Sequence, residues 1–179
     1  MLKHLSFTKM DIFKKSEKNF IKKYILKEKV FITKEMRFGK TISDKLERGE
    51  PIEWVAVLDT PEQELRADIL WVPCLWYIDT CNEDFRYYIE YKTWKTKWTQ
   101  GRVNKHDQLL MYAAMIHELH WIIPTCSLVW IETRNDDIYW IHMTGKVESF
   151  DRSFTLEGIE TFKNKLPKIW KDMNNLLNG

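Results

Sequence analysis

Tyr87-Tyr88-Ile89-Glu90-Tyr91-Lys92-Thr93 is the stretch whose reading decides the fold. Tyr, Ile and Thr dominate it, and it holds no Gly or Pro, which is the composition of a β-strand. Residues two apart on a strand share a face, so Glu90 and Lys92 point the same way. A buried or half-buried strand seldom places two charges on one face, because each must be paired or kept wet. An acid and an amine held together at a sheet end suit metal chemistry. The carboxylate ligates a hard divalent cation, and the ammonium orients or polarises an attacking water. The plainer alternative is a Glu/Lys pair on an edge strand. The rest of the chain decides between them.

Working outward, the next strand upstream is Leu75 to Thr80, and Asn82-Glu83-Asp84 is the turn between the two. That hairpin sets Asp79 and Glu90 on neighbouring strands, so both carboxylates can reach one end of the sheet. Further upstream, Glu64 to Val72 and Glu53 to Leu58 read as strands, separated by a turn at Asp59-Thr60-Pro61 and ended by Pro73. Together these form an antiparallel meander. Asp68 is a second candidate for the first acid, but Asp79 lies closer to Glu90 and its strand leads straight into the hairpin.

Downstream, the chain changes character. Lys92, Lys95, Lys97, Arg102 and Lys105 fall within fourteen residues that contain no acid, with Trp94 and Trp98 interleaved. Cations and aromatic rings beside a metal site suit a polyanion with bases to stack, so Lys95, Lys97, Trp98, Arg102 and Lys105 are candidate nucleic-acid-binding residues. An exposed loop with two packed Trp is the alternative. A long helix from about Asn104 to Leu119 follows, with Gln108 and Tyr112 one turn apart on one face.

The flanks supply the layers. A first helix is expected from about Lys9 to Leu26, with Thr8 as N-cap, Met10, Phe13, Phe20 and Tyr24 inward and lysines outward. A second runs from Thr33 to about Leu46 and ends near Gly49, with Met36, Phe38, Ile42 and Leu46 on its buried side. Gly39 inside it suggests a close approach or a bend. Ser127 to Thr133 reads as a central strand and Ile138 to Met143 as a near-edge strand. A final helix from Thr155 to about Leu177 carries Ile159, Phe162, Leu166, Ile169 and Trp170 inward, with a kink at Pro167. The order is that of an α/β or α+β sandwich around a mixed sheet.

Composition sets the bounds. At 179 residues with 44% apolar content and nine Trp, the chain is expected to be one globular domain spanning 1–179. A formal net charge of +2 does not call for nucleic acid by itself, so any basic surface must be local. Three Cys without a C-x-x-C argue against a disulfide framework or a zinc knuckle and fit a reducing cytoplasm. No secretory signal and no membrane span is expected.

Asp79, Glu90-x-Lys92 and Gln108-x-x-x-Tyr112, in that order and spacing, resemble the PD-(D/E)XK nucleases. The Q-x-x-x-Y element resembles the RecB-like branch, which includes many phage exonucleases. Phe38-Gly39-Lys40-Thr41-Ile42-Ser43-Asp44-Lys45-Leu46-Glu47 is similar to an upstream helix of that branch. Thr144-Gly145 and Phe150-x-Arg152 are similar to its closing segment.

The resemblance implies a restriction-endonuclease-like core and a Mg²⁺- or Mn²⁺-dependent deoxyribonuclease, more specifically an exonuclease. Its partners would be single- or double-stranded DNA with ends, and its setting bacterial or phage DNA replication, recombination or repair. It implies that Asp79 and Glu90 ligate the metal with the backbone carbonyl of Tyr91. Lys92 would activate water, Gln108 orient the site and Tyr112 support it. It also leaves room for a homo-oligomer or a recombination partner protein, in the cytoplasm of a bacterium or a phage-infected host.

Two departures stand out. Ser43 occupies the place of a metal-binding His, so the site would hold metal more weakly or borrow Glu47, Glu62 or Glu64. Ser16 stands where iron–sulfur members carry a first Cys, and no C-terminal Cys cluster follows, so no iron–sulfur cluster is expected. The alternatives kept open are a non-catalytic nucleic-acid- or protein-binding module on the same fold, and a structure-specific endonuclease.

Overall fold

The computed structural model describes residues 2–29, 31–135 and 141–178, apart from the side chains of Glu47 and Asn178. The strands are β1 (Thr60–Ile69), β2 (Val72–Cys81), β3 (Tyr87–Trp94), β4 (Thr125–Asn135) and β5 (Ile141–Ser153). They form one sheet in the order β1-β2-β3-β4-β5. All neighbours are antiparallel except β3 and β4. A parallel pair needs a crossover, which α4 (Gln100–Asn104) and α5 (Asp107–His120) provide.

Helices cover both faces. On one lie α5, α1 (Phe7–Lys15), α2 (Glu17–Phe20), α6 (Leu156–Lys163) and α7 (Leu166–Asn178), which bury Met10, Phe20, Met111, Tyr112, Phe162 and Met173 against Tyr88, Leu128 and Trp130. On the other lies α3 (Lys34–Glu47), whose Ile42 and Leu46 bury Ile89, Tyr91, Val129 and Ile131. Successive residues of β3 and β4 thus enter opposite cores, as the twofold period of a strand requires. The α+β architecture with a mixed central sheet agrees with the sequence reading.

Several boundaries differ for local reasons. The first helix is broken at Ser16, which is extended (φ −167, ψ 107) and whose side chain caps a new helix at the Asn19 N–H. Ile21–Ile25 then continues as a π-helical turn. The N-cap of α1 is Ser6, not Thr8. In α3 the Thr33 cap stands as read, but Met36 is exposed. Gly39 meets Thr93 of β3, whose Oγ1 would lie 3.0 Å from an added Cβ, so a side chain rather than a backbone makes the close approach.

The stretch 53–58 is not a strand. Trp54 is left-handed (φ 67), and the Ala56 carbonyl and Leu58 N–H bond to the side chains of Tyr91 and Thr80 instead of a ladder. The β1–β2 turn lies at Leu70-Trp71, both left-handed, a conformation normally supplied by Asn or Gly. β2 runs through Pro73, which pairs with Asp68 beside that turn.

His106 is extended, so the helix expected from about Asn104 begins at Asp107, and the short α4 precedes it within the basic stretch read as a loop. The expected strand at Ile138 to Met143 falls partly on residues 136–140, outside the described residues. From Ile141 the chain is β5, the edge strand, and it takes in Gly145 and Arg152. The closing helix breaks at Asn164 and Lys165. Pro167 falls in the first turn of α7, where its missing N–H is harmless, so it starts a helix instead of kinking one. Among the described residues no helix is long and apolar enough to cross a membrane.

One irregularity positions everything that follows. β2 pairs with β3 only at Thr80–Ile89 and Cys81–Tyr88. Beyond these the two strands part. The freed edge of β2 is taken by Leu5, which bonds the Pro73 carbonyl at 2.7 Å and receives the Leu75 N–H at 3.0 Å.

Candidate functional site

Parting β2 from β3 leaves backbone groups that a continuous ladder would have satisfied, and buried groups of this kind must find other partners. The Tyr91 N–H donates to Asp79 Oδ2 at 2.7 Å. The Tyr77 carbonyl accepts from the Tyr112 hydroxyl at 2.7 Å. Asp79 and Tyr112 therefore hold the split open as part of the fold. Extending the β2–β3 register would place Asp79 opposite Glu90, and the two carboxyls do lie within reach of each other at the split.

A ring of close polar contacts surrounds Glu90, which is only 2% exposed. Lys92 Nζ donates to Glu90 Oε1 and, at 2.8 Å, to Gln108 Oε1. Gln108 Nε2 donates to the Tyr112 hydroxyl at 2.8 Å. That hydroxyl stands 3.1 Å from Glu90 Oε2. Gln108 and Tyr112 meet because they are four residues apart on α5, one turn of one face. Every contact of the ring involves a charged group or a buried dipole, so the side chains are locked.

The electrostatics follow from this crowding. Burial, and then the Glu90 charge, push the Asp79 carboxyl well above the usual carboxylate range, although the Lys92 charge and the Tyr91 N–H act in the opposite sense. Burial, with Glu90 and Asp79 beside it, pushes the Tyr112 phenol well above its ordinary value, so it remains a donor. Two carboxylates facing one ammonium carry one net negative charge, which a cation would relieve.

Among the described residues no group of three or more His, Cys, Asp or Glu could hold a metal ion. That excludes a four-ligand zinc geometry among them. Two carboxylates and a carbonyl fit a hard divalent ion that keeps several waters. On its donor set, the site fits Mg²⁺ or Mn²⁺.

The site opens into a groove of about 560 Å³ lined by His4, Phe7, Thr8, Tyr77, Asp79 and Lys92, with Gln108 and Tyr112 at its floor. The N-terminal segment that bridges β2 through Leu5 forms one wall.

The structure therefore brings together Asp79, Glu90, Lys92, Gln108 and Tyr112, with Tyr91 beside them. Asp68 is exposed and pairs with Pro73 at the far end of the β1–β2 hairpin. Glu64 is held by Arg66 at 3.1 Å and the Tyr77 hydroxyl at 2.7 Å. Glu62 lies across the hairpin from Asp79, between the pairs Pro61–Thr80 and Gln63–Ile78, and is exposed. The Glu47 side chain lies outside the described residues. Ser43 sits on α3, and no side-chain hydrogen bond involves it among the described residues.

The basic aromatic stretch is rearranged relative to expectation. Trp98 is buried (4% exposed) against His106, and the Arg102 guanidinium lies 3.8 Å from its ring centroid, so Trp98 has no face for a base. Lys97 pairs with Glu148 at 2.6 Å. Lys95 and Lys105 are exposed. The aromatic ring open to solvent is Trp94, 49% exposed.

Two supporting residues were assigned no role from the sequence, although one, Arg152, falls in the Phe150-x-Arg152 segment. Arg152 Nη1 binds the carbonyls of Val103 (3.0 Å) and His106 (2.8 Å), fixing the turn that launches α5. His106 packs between Phe7 and Trp98, its Nδ1 has no partner among the described residues, and burial, then Lys92, Arg102 and Arg152, lower its pKa to about 4. Both roles depend on contacts distant in sequence.

No family model matches the chain, and no curated protein matches it. Among solved structures, the crystal structure of a candidate exonuclease from Eubacterium rectale superposes with a TM-score of 0.64 at 7% identity, covering 97% of this chain and 82% of that one. At that identity the likeness is one of fold: a mixed five-stranded sheet flanked by helices.

Proposed function

We propose that this chain is a metal-dependent deoxyribonuclease of the PD-(D/E)XK type, in its RecB-like branch, acting from DNA ends. The observation that carries the reading is the ring of close polar contacts among Glu90, Lys92, Gln108 and Tyr112 beside Asp79, in an open groove. A purely structural ion pair has no need of a second carboxylate forced close to the first, and strongly perturbed groups in a cleft favour function. The shared fold with a candidate exonuclease supports the same direction at a coarser level.

In this reading, Asp79, Glu90 and the Tyr91 carbonyl hold Mg²⁺ or Mn²⁺. When bound, the ion supplies Lewis-acid polarisation of a phosphate and a water of lowered pKa. Lys92 is held by Glu90 and Gln108 at the groove surface, where its ammonium orients a water and stabilises charge growing on phosphate oxygens. Gln108 fixes Lys92 through Oε1 and Tyr112 through Nε2, so it preorganises the amine. Tyr112, kept a neutral phenol, ties α5 to the Tyr77 carbonyl through its one O–H and accepts from Gln108 Nε2 within the ring.

The test is degradation of end-labelled single- and double-stranded DNA with Mg²⁺, Mn²⁺ or EDTA, wild type beside Lys92→Ala. Cleavage that needs metal and falls by about 10²-fold or more in the variant is expected. A substrate bound but uncut in every metal would move the assignment to a binding module on this fold. Cutting of covalently closed circles would make it an endonuclease.

A further inference from the structure

We infer that the substrate is engaged as an unpaired strand, with bases on either side of the scissile phosphate stacked on protein rings. The inference rests on the nuclease reading of the site and names the form of nucleic acid that it takes.

Trp94 and Lys92 lie two apart on β3, so they share a face about 7 Å apart along the strand. Trp94 is the last residue of β3, and its carbonyl accepts the Trp130 indole N–H at 2.7 Å, which fixes its backbone. Its ring nonetheless remains half exposed. Trp54, Trp71 and Trp121 are exposed too, but Trp94 is the one held on the strand that carries Glu90 and Lys92, with its ring open to solvent beside the amine.

The groove on the other side of the carboxylates has rings of its own. Phe7, His4 and Tyr77 line it, and Tyr77 is 45% exposed. The charged groups thus sit between two sets of aromatic surface. This is the arrangement that binds single strands: a charged track for phosphates, with rings on which successive bases stack whatever their sequence.

A duplex fits this arrangement poorly. Its bases are stacked and paired, and each must be unstacked before it can lie on a protein ring. The groove volume of about 560 Å³ lies in the range of pockets for small ligands, the scale of a nucleotide or two. In the basic stretch, Lys95 and Lys105 are exposed, whereas two other cations are engaged within the fold. Lys97 is paired with Glu148, and Arg102 is stacked on buried Trp98.

The experiment compares wild type, Trp94→Ala, Trp94→Phe and Trp121→Ala. Trp121 is 84% exposed at the C-terminal end of α5 and serves as the surface-tryptophan control. Substrates are an end-labelled single-stranded oligodeoxynucleotide, the blunt duplex of that sequence, and a duplex with a frayed, mismatched end. Binding is measured in parallel by anisotropy with Lys92→Ala protein, alone and combined with Trp94→Ala.

The expected results are cleavage in the order single strand, frayed duplex, blunt duplex, and a KM for the single strand raised about tenfold or more in Trp94→Ala with kcat little changed. Trp94→Phe should recover most of the loss, and Trp121→Ala should match wild type. Metal-dependent cleavage that prefers the blunt duplex, or that ignores Trp94→Ala, would overturn the inference and leave the nuclease reading intact. No cleavage of any substrate, with single-strand binding weakened by Trp94→Ala, would overturn the nuclease reading and uphold single-strand recognition.

Discussion

Replacing Asp79 by Asn should stabilise the metal-free protein while abolishing cleavage. Asp79 is crowded by burial and by the Glu90 charge, which hold its carboxyl well above the usual range. A carboxyl whose folded pKa exceeds its unfolded value of about 3.9 adds stability below that value and loses it as pH rises through the folded pKa. Above its folded pKa, ionised Asp79 is therefore a net cost to folding. Two like charges about 4 Å apart repel by about 4 kcal/mol at the effective dielectric of a protein site. The Lys92 ammonium offsets much of this, which leaves an expected gain of about 1–2 kcal/mol on neutralisation.

Asn is the right probe because its side-chain oxygen can still accept the Tyr91 N–H that Asp79 holds at 2.7 Å. For a chain of this length the gain corresponds to about 2–8 °C in Tm. Calorimetry in EDTA across a pH series should show it at the alkaline end and show it shrinking toward acid, as wild-type Asp79 protonates. Mg²⁺ or Mn²⁺ should raise the wild-type Tm and leave the variant's unchanged, because only the wild type offers both carboxylates. A variant no more stable than wild type in EDTA even at the alkaline end of the series would refute the claim that this carboxylate is strained by charge.

Tyr112→Phe should lower stability by about 1–3 kcal/mol, because the Tyr77 carbonyl and Gln108 Nε2 each lose a partner at a buried position; thermal melts of the variant check this. His106, with a pKa lowered to about 4, contributes stability that is present above its unfolded pKa of about 6.5 and is lost as pH falls toward 4. His106→Phe keeps a ring between Phe7 and Trp98 and should flatten that acid-side decline by about 1–2 kcal/mol, allowing for partial exposure, as read from urea unfolding across the range.

The sequence was most legible where periodicity and local chemistry agreed. The tyrosine-rich β3, the Asn82 turn, the Thr33 cap and the inner face of α6 and α7 all follow local rules, and the structure carries them. That Asp79 rather than Asp68 lies beside Glu90 was also readable, because a short hairpin constrains which residues can meet. Illegible features depend on partners far along the chain. Leu70-Trp71 forms a turn with neither Asn nor Gly, so no turn residue announces it. Ser16 breaks a helix whose lysine and phenylalanine pattern continues across it. Trp94 and Trp98 look equivalent in a basic stretch. Only the packing of Trp98 between His106 and Arg102 buries one, while the other stays exposed.

The parting of β2 from β3 explains why the fold and the candidate chemistry are hard to separate here. Opening a ladder beside a core strands an N–H and a carbonyl, and each stranded group costs about 1–3 kcal/mol if it stays unpaired. This chain answers with the Asp79 carboxylate on one and the Tyr112 hydroxyl on the other. The same two side chains then face Glu90 and Lys92 across the gap. Substitutions in the site should consequently move stability as well as activity, and in opposite directions for the two. Removing the Asp79 charge relieves a repulsion, whereas removing the Tyr112 hydroxyl exposes an unmet bond. A site added to an indifferent scaffold would show no such signed coupling, so the pair of melts tests whether this one is built from the split itself.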